Sequence, residues 1–284
     1  MLANRRLVPV LLVAALIAGA CGTGVEAPSP MPSRTPSVTV SPSGRPEIET
    51  TLFFVGDTAL GLRLFPEVRT IPGDDDPALA ALRALLDGAT EPLDPDHVSL
   101  WAGSGSRVRS LTRSAEEIVL DIEFGGLNVG AEGEQRAIDQ LLWTAALADP
   151  EIESLRITVD GRTVETLAGH VDVSVAFVLG PDDAVLAPVA VLEPREGAEV
   201  EAPVTVRGDA CTFEANVAWE LLDATGARLD GGSTLAAEAC PVRSPWSVDL
   251  DDLGPGSYTI RAAEYSARDG SLVAEDTKTF TVVG

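Results

Sequence analysis

The pattern of apolar and polar positions changes character along the chain, starting with its first 46 residues. An apolar run over residues 7–20 follows two arginines. This run is long enough for the core of a secretory signal peptide and too short for a membrane-spanning helix. Residues 22–46 then consist mainly of Pro, Ser, Thr and Gly, a composition that cannot bury enough surface to fold. We therefore predict a signal peptide over residues 1–20 and a disordered tether over residues 21–46.

Strand and helix patterns alternate between residues 47 and 178. Residues 118–124 alternate apolar side chains with polar or smaller ones, as a half-buried strand does. A helix is predicted to begin at Asp76 and Pro77, because Asp accepts the first free N–H groups and Pro fits the first helical turn. A second helix is predicted over residues 134–149, where the apolar residues share one face. The sum predicts an α+β domain with two helices packed on a small sheet.

Nearly every pattern from residue 189 to residue 284 is that of a short strand. Val217, Trp219 and Leu221 alternate with other residues, and turn sequences such as residues 254–256 (GPG) separate the strands. Short strands at this spacing predict an all-β sandwich. Residues 179–188, which contain Pro181, are predicted to form the linker between the two domains.

Several short sequences of the first domain form a familiar combination. They are residues 66–69 (PEVR), 85–88 (LLDG), 140–144 (QLLWT) and 154–161 (SLRITVDG). Together they resemble the GerMN domain of sporulation and spore-germination proteins and of other bacterial lipoproteins. The resemblance implies a GerMN-like α+β fold and assembly with other proteins in the cell envelope. A role in spore germination rests on the family name alone.

The second domain also resembles a known family. Residues 203–206 (PVTV), 213–217 (FEANV) and 266–271 (SARDGS) occur in the order found in the Gmad2 domain, an immunoglobulin-like module that accompanies GerMN domains. The string Phe-Glu-Ala-Asn is the most specific of these signals. The resemblance implies an immunoglobulin-like sandwich over residues 189–284, with a recognition or spacer role.

The end of the predicted signal peptide, residues 18–21 (AGAC), resembles the lipobox of bacterial lipoproteins. The resemblance implies that Cys21 carries a lipid and that the chain is cut before it. The mature protein would then be anchored at the outer face of the cytoplasmic membrane. An ordinary secretory signal with an incidental cysteine is the alternative.

Charge limits the partners of this chain. The formal net charge is −24, so both nucleic acid and anionic lipid surfaces repel it. We expect no nucleic-acid partner, and we expect membrane attachment to depend on the lipid and not on a basic patch.

The two remaining cysteines are Cys211 and Cys240. Because a secreted protein occupies an oxidising compartment, the sequence predicts a disulfide bond between them. Two separate buried thiols are the alternative.

We find no constellation of residues typical of an active site. The two histidines, His97 and His170, are far apart, and His97 lies in a Pro/Asp-rich stretch where a solvated side chain is expected. The acidic residues 74–76 suit a helix start better than calcium binding, because consecutive side chains do not converge on one ion. The sequence therefore predicts no catalytic, cofactor-binding or metal-binding residues.

Of the four tryptophans, only Trp101 is a candidate for an exposed position, because it adjoins a Gly/Ser-rich loop, and a core position is the alternative. It is a candidate ligand contact, since an exposed aromatic ring can stack on a sugar. The sequence thus predicts a non-catalytic, lipid-anchored binding or scaffold protein of the cell envelope, with an envelope protein as its partner. A lipoprotein that binds cell-wall carbohydrate is the alternative.

Overall fold

The computed structural model describes residues 46–88, 90–114 and 117–284 of the 284-residue chain. The predicted signal peptide, the predicted lipid attachment at Cys21 and all but the last residue of the predicted tether lie outside the described residues. No helix within the described part is long and apolar enough to cross a membrane.

The first domain opens with a long antiparallel hairpin. Strand β1 (Glu47–Thr58) pairs with β2 (Gly61–Pro72) along its whole length. The chain reverses through Gly61, whose φ of +90° is a conformation that favours glycine. This hairpin forms a two-stranded sheet of its own.

Helix α1 (Pro77–Leu86) follows the hairpin, and its predicted start is confirmed. The side chain of Asp76 accepts a hydrogen bond of 3.1 Å from the N–H of Leu79, and Pro77 is the first helical residue. The same carboxylate pairs with Arg113 at 2.7 Å. Asp76 therefore caps the helix and also ties it to a neighbouring strand.

A second sheet has the strand order β3-β4-β5-β6. Strands β4 and β5 are parallel, and parallel neighbours need a crossover connection. Helix α2 (Ala131–Ala148) provides it and packs against both α1 and β1. The strands are β3 (Arg107–Ser114), β4 (Glu117–Glu123), β5 (Ser154–Val159) and β6 (Phe177–Val178).

The first domain differs from the prediction in how its strands are grouped. A single small sheet was expected, whereas the hairpin and the four-stranded sheet are separate. Among the described strands, β1 and β2 pair in a ladder only with each other, and their apolar residues pack against the helices. One core of buried residues joins the two sheets, and its members include Phe54, Leu82, Leu85, Trp101, Ile118, Ile122, Ile138 and Leu141.

The second domain is built from strands alone, apart from a single 3₁₀ turn. After a four-residue helix, α3 (Asp182–Val185), two sheets follow, with the orders β11-β10-β13-β14-β8 and β12-β9-β7. Their inward residues form one apolar core that includes Val206, Trp246 and Phe280. The strands are β7 (Val189–Glu193), β8 (Ala198–Glu201), β9 (Val204–Ala210), β10 (Asn216–Asp223), β11 (Arg228–Leu235), β12 (Ser244–Leu250), β13 (Gly256–Tyr265) and β14 (Leu272–Val283).

The predicted disulfide bond between Cys211 and Cys240 is confirmed, with the two Cα atoms 4.4 Å apart. It lies beside the 3₁₀ turn Phe213–Ala215, in which Glu214 and Ala215 have φ angles of +54° and +59°. Left-handed backbone at two successive non-glycine residues is strained. The disulfide therefore holds the chain next to a turn that sequence preference alone does not favour.

The two domains belong to one compact unit, and the linker between them packs on the first domain. Phe53, Val55 and Leu64 of the hairpin pack against Val185 and Leu186, which precede the second domain. The N–H of Ala187 also donates to the carbonyl of Leu64 over 2.9 Å. The relative position of the two domains is thus set partly by burial of these side chains.

Candidate functional site

A group of buried charged residues lies where the two domains meet. It comprises Glu67 of β2, Asp94 and His97 of the loop between α1 and β3, and Asp276 and Lys278 of β14. We name it the interdomain charge cluster. Each of the five residues is at most 5% exposed. Burial of so many ionisable groups is costly unless they compensate one another, so their contacts are informative.

Lys278 is the cation of the interdomain charge cluster. Its Nζ donates to Asp94 Oδ2 over 2.6 Å and to Asp276 Oδ1 over 2.5 Å. Asp276 and Lys278 are two residues apart on one strand, so their side chains share a face of the sheet. Asp94 comes from the other domain, and the ammonium group therefore bridges the two domains.

Glu67 organises the loop that carries the other two residues. Its carboxylate accepts the N–H of Leu93 at 2.9 Å and the N–H of Asp94 at 3.2 Å, and it pairs with Arg69 at 2.8 Å. The ring of His97 lies 3.5 Å from it through Nδ1. Burial alone would raise the pKa of Glu67, but these donors outweigh it and the pKa is lowered.

The pKa values of the two β14 residues follow from their burial and pairing. Complete burial raises the pKa of Asp276, although Lys278 and His97 oppose this effect. Burial by itself would lower the pKa of Lys278, but Asp276 and Asp94 together raise it. Lys278 is therefore held as a cation between two carboxylates.

The imidazole of His97 lies between the same carboxylates. Its Nδ1 is 3.8 Å from Asp94 Oδ2 and its Nε2 is 3.9 Å from Asp276 Oδ1, and Phe65 stacks on its ring at a centroid distance of 4.4 Å. Asp94, His97 and Asp276 could in principle hold a metal ion, since their ligand atoms all lie within 4.8 Å of one another. The Lys278 ammonium already supplies a positive charge there, so an ion pair explains the arrangement.

The prediction that His97 is solvated is wrong. The residue lies in a polar stretch of sequence, but Glu67 draws this loop inward and Phe65 covers the ring. A cleft of about 300 Å³ opens beside the interdomain charge cluster, and its rim is also acidic, with Asp57, Asp96 and Glu275.

The prediction that Trp101 is an exposed ligand contact is also wrong. Its side chain is 1% exposed, and its Nε1 donates to the carbonyl oxygen of Ala137 over 2.8 Å. Helix α2 packs over the ring, a contact that the neighbouring Gly/Ser sequence cannot indicate. Trp101 is therefore a core residue of the first domain.

A sequence signal exists for two of the five residues of the interdomain charge cluster. The buried positions of β14 alternate, and they include Ala274, Phe280 and Val282 as well as Asp276 and Lys278. Two charged residues in phase with apolar ones indicate a buried ion pair. No comparable periodicity marks Glu67, Asp94 or His97.

Comparison with protein families supports the assignment of both domains. The family model described as "Sporulation and spore germination" (Germane) matches residues 51–165. The model described as "Immunoglobulin-like domain of bacterial spore germination" (Gmad2) matches residues 188–271. The chain therefore contains one region that matches the Germane model and a second that matches the Gmad2 model. Glu67, Asp94 and His97 lie within the Germane match, whereas Asp276 and Lys278 follow the end of the Gmad2 match.

Solved structures resemble this chain only distantly. A "putative lipoprotein" from Clostridium perfringens is 20% identical over 46% of this chain and 87% of its own, with a TM-score of 0.33. The tandem GerMN domains of the sporulation protein GerM from Bacillus subtilis are 13% identical over 72% of this chain and 62% of their own, with a TM-score of 0.38. The first GerMN domain of GerM from Bacillus subtilis is 14% identical over 44% of this chain and 92% of its own, with a TM-score of 0.35. No curated protein has a matching sequence.

Proposed function

We propose that this protein is a non-catalytic binding or scaffold protein of the cell envelope. A lipid on Cys21 holds it at the outer face of the cytoplasmic membrane, and residues 21–46 act as a tether for the two folded domains. Its partner is another envelope protein. The sequence up to Cys21 supports the anchor, and the descriptions of both matched families support a part in sporulation or spore germination.

The observation that carries this proposal is the interface between the two domains. Apolar contacts around Leu64 and Leu186 and the ion pair between Asp94 and Lys278 join the domains at two places. Two domains fixed in this way present one surface of constant geometry, which suits assembly with a partner. The charge of −24 favours a partner with a basic surface, because opposite charges steer association.

The carbohydrate-binding alternative has lost the residue on which it depended. Trp101 was its candidate stacking platform, and that ring is packed beneath α2. We therefore retain glycan binding only as an outcome of the experiment.

The experiment is a crosslinking pull-down of the tagged protein from its native membranes, with Cys21→Ala as the matched control. We expect wild type to partition with membranes and to capture a discrete protein partner. We expect Cys21→Ala to be absent from the membrane fraction and to capture less partner. Wild type that leaves the membrane in buffer without detergent would contradict the anchor. Recovery of cell-wall glycan without any protein partner would contradict the scaffold role.

A further inference from the structure

The choice of basic residue in the interdomain charge cluster is unusual for this chain. The sequence has 20 lysines and arginines in total, and Lys278 is its single lysine. Arginine suits a buried ion pair better, because its planar group binds carboxylates through two donors and stays charged. Lys278 is held as an ammonium group, since Asp276 and Asp94 raise its pKa. A neutral, nucleophilic amine forms there when a proton moves from Nζ to a carboxylate. The one lysine thus lies, 3% exposed, where its special chemistry could be used.

The carboxyl group of Asp94 is held as a target for that amine. Asp94 Oδ2 lies 2.6 Å from Lys278 Nζ, and its other oxygen accepts the N–H of Asp96 over 2.9 Å. Cγ is one bond beyond Oδ2, hence roughly 3–4 Å from Nζ, a separation close to that of a pre-organised reacting pair. The side chain of Asp94 is 1% exposed, so water does not separate the two groups.

Asp276 is placed to move protons between the two reacting groups. Its Oδ1 contacts Lys278 Nζ at 2.5 Å, while its Oδ2 accepts the N–H of Val191 over 2.7 Å and is thereby fixed. Burial raises the pKa of Asp276, which makes the protonated acid accessible. The ring of His97 lies within 4 Å of both carboxylates and closes this side of the site.

We propose that Lys278 and Asp94 condense to a side-chain amide that joins the two domains covalently. Asp276 accepts a proton from the ammonium group and passes it to the Asp94 carboxylate, which leaves a neutral amine beside a carboxylic acid. This transfer removes the charges of both groups, which is favoured in a buried site. Nζ then attacks Cγ, a second proton moves from nitrogen through Asp276 to the departing hydroxyl group, and water leaves. One ammonium and one carboxylate become one amide and one water, without any oxidant or cofactor.

The amide goes beyond the proposed scaffold role and does not depend on it. It would make the relative position of the domains permanent, because separating them would require a covalent bond to break. The disulfide bond between Cys211 and Cys240 lies within the second domain and has no such effect.

The test is a peptide map of the full-length protein, denatured, reduced and digested with trypsin. We expect a branched peptide in which residues 84–107 are joined to residues 269–284, lighter by one water than the two together. We also expect no cleavage after residue 278, since an acylated lysine is not a trypsin site. Free 84–107 together with a peptide ending at Lys278, as the main products from folded wild type, would overturn the proposal. This map is independent of any partner, so it can fail while the scaffold proposal stands.

Three variants sharpen the result. Lys278→Arg keeps a cation but cannot form the amide, so it should give only unlinked peptides. Asp276→Ala should slow formation of the linked peptide by about 100-fold or more, because it removes the proton-transfer group. Asp57→Asn alters an exposed residue on the rim of the cleft and should leave the linked peptide unchanged. A linked peptide that forms at the wild-type rate in Asp276→Ala would overturn the role of Asp276. If that variant does not fold, the wild-type map still decides whether the amide exists.

Discussion

Substitution of Glu134 tests how the first domain holds the irregular segment between β5 and β6. Glu134 lies in α2 and is fully buried. One of its carboxylate oxygens accepts the N–H groups of Leu167 and Ala168, over 2.9 and 2.7 Å. The other accepts those of His170 and Val171, over 2.8 and 3.1 Å. A single side chain thus anchors four backbone groups of the segment between β5 and β6.

The variant Glu134→Gln keeps the size of the side chain but replaces one acceptor oxygen with an NH₂ donor. Two backbone N–H groups then face a donor and lose their acceptor. Each buried donor left without a partner costs about 1–3 kcal/mol, and these residues are only partly buried, so we expect a loss of about 2–4 kcal/mol in the free energy of unfolding. This is a large share of the stability of an ordinary domain.

The assay is urea unfolding followed by tryptophan fluorescence at pH 7. The matched control is Glu132→Gln, on the same helix. The Glu132 side chain accepts one N–H, that of Leu62 at 2.9 Å, in a hydrogen bond at the surface. We expect this control to lose at most about 1 kcal/mol. Equal stability of the Glu134 and Glu132 variants, with both folded, would refute the reasoning.

The pH dependence gives a second check on Glu134. Burial alone would raise its pKa, but the four backbone donors outweigh burial and the pKa is lowered. A lowered folded-state pKa contributes stability that is present above the unfolded-state pKa and is lost as the pH falls through the folded value. The gap in stability between wild type and Glu134→Gln should therefore narrow in acid. A gap that widened as the pH fell would contradict the assigned shift.

Three further predictions concern other parts of the structure. Replacing Cys211 and Cys240 with serine should lower the free energy of unfolding by about 3–4 kcal/mol, because the bond closes a long loop. Adding a reductant to wild type should lower the free energy of unfolding in urea by the same amount. An unchanged free energy of unfolding in both experiments would contradict a stabilising role of the disulfide bond. Asp76→Ala should cost about 1–2 kcal/mol through loss of the helix cap, measured in the same way, and an unchanged midpoint would argue against it. Trp101→Phe should destabilise by about 1–3 kcal/mol and leave glycan binding unchanged, as the lost hydrogen bond is buried. Loss of glycan binding at full stability would reverse the assignment of this residue to the core.

Short stretches of sequence were sufficient to predict those structural elements that depend only on neighbouring residues. Asp76 followed by Pro77 predicted where α1 begins, because a cap acts within one helical turn. The alternation around Trp246 and Phe280 predicted strands, because side chains of a strand point to opposite faces in turn. The disulfide bond between Cys211 and Cys240 was predicted from the oxidising compartment expected of a secreted protein, with Cys21 assigned to the lipid.

The exposure of a side chain could not be predicted where apolar and polar residues show no helix or strand periodicity. Trp101 and His97 both occur among loop residues, and loop residues are usually at the surface. Trp101 is buried because α2 packs over it, and His97 is buried because Glu67 holds its loop. Such coverage depends on segments that are distant along the chain, so a window of neighbouring residues does not contain it.

The sequence by itself determined that β14 has two charged side chains, those of Asp276 and Lys278, in phase with apolar ones. It could not name their partner, since Asp94 lies 184 positions from Lys278. Only the tertiary structure decided that pairing, because the packing of one domain surface on another selects which loop reaches the strand. An isolated buried charge has a high free energy. The surface that covers Lys278 must therefore supply a carboxylate to pair with it.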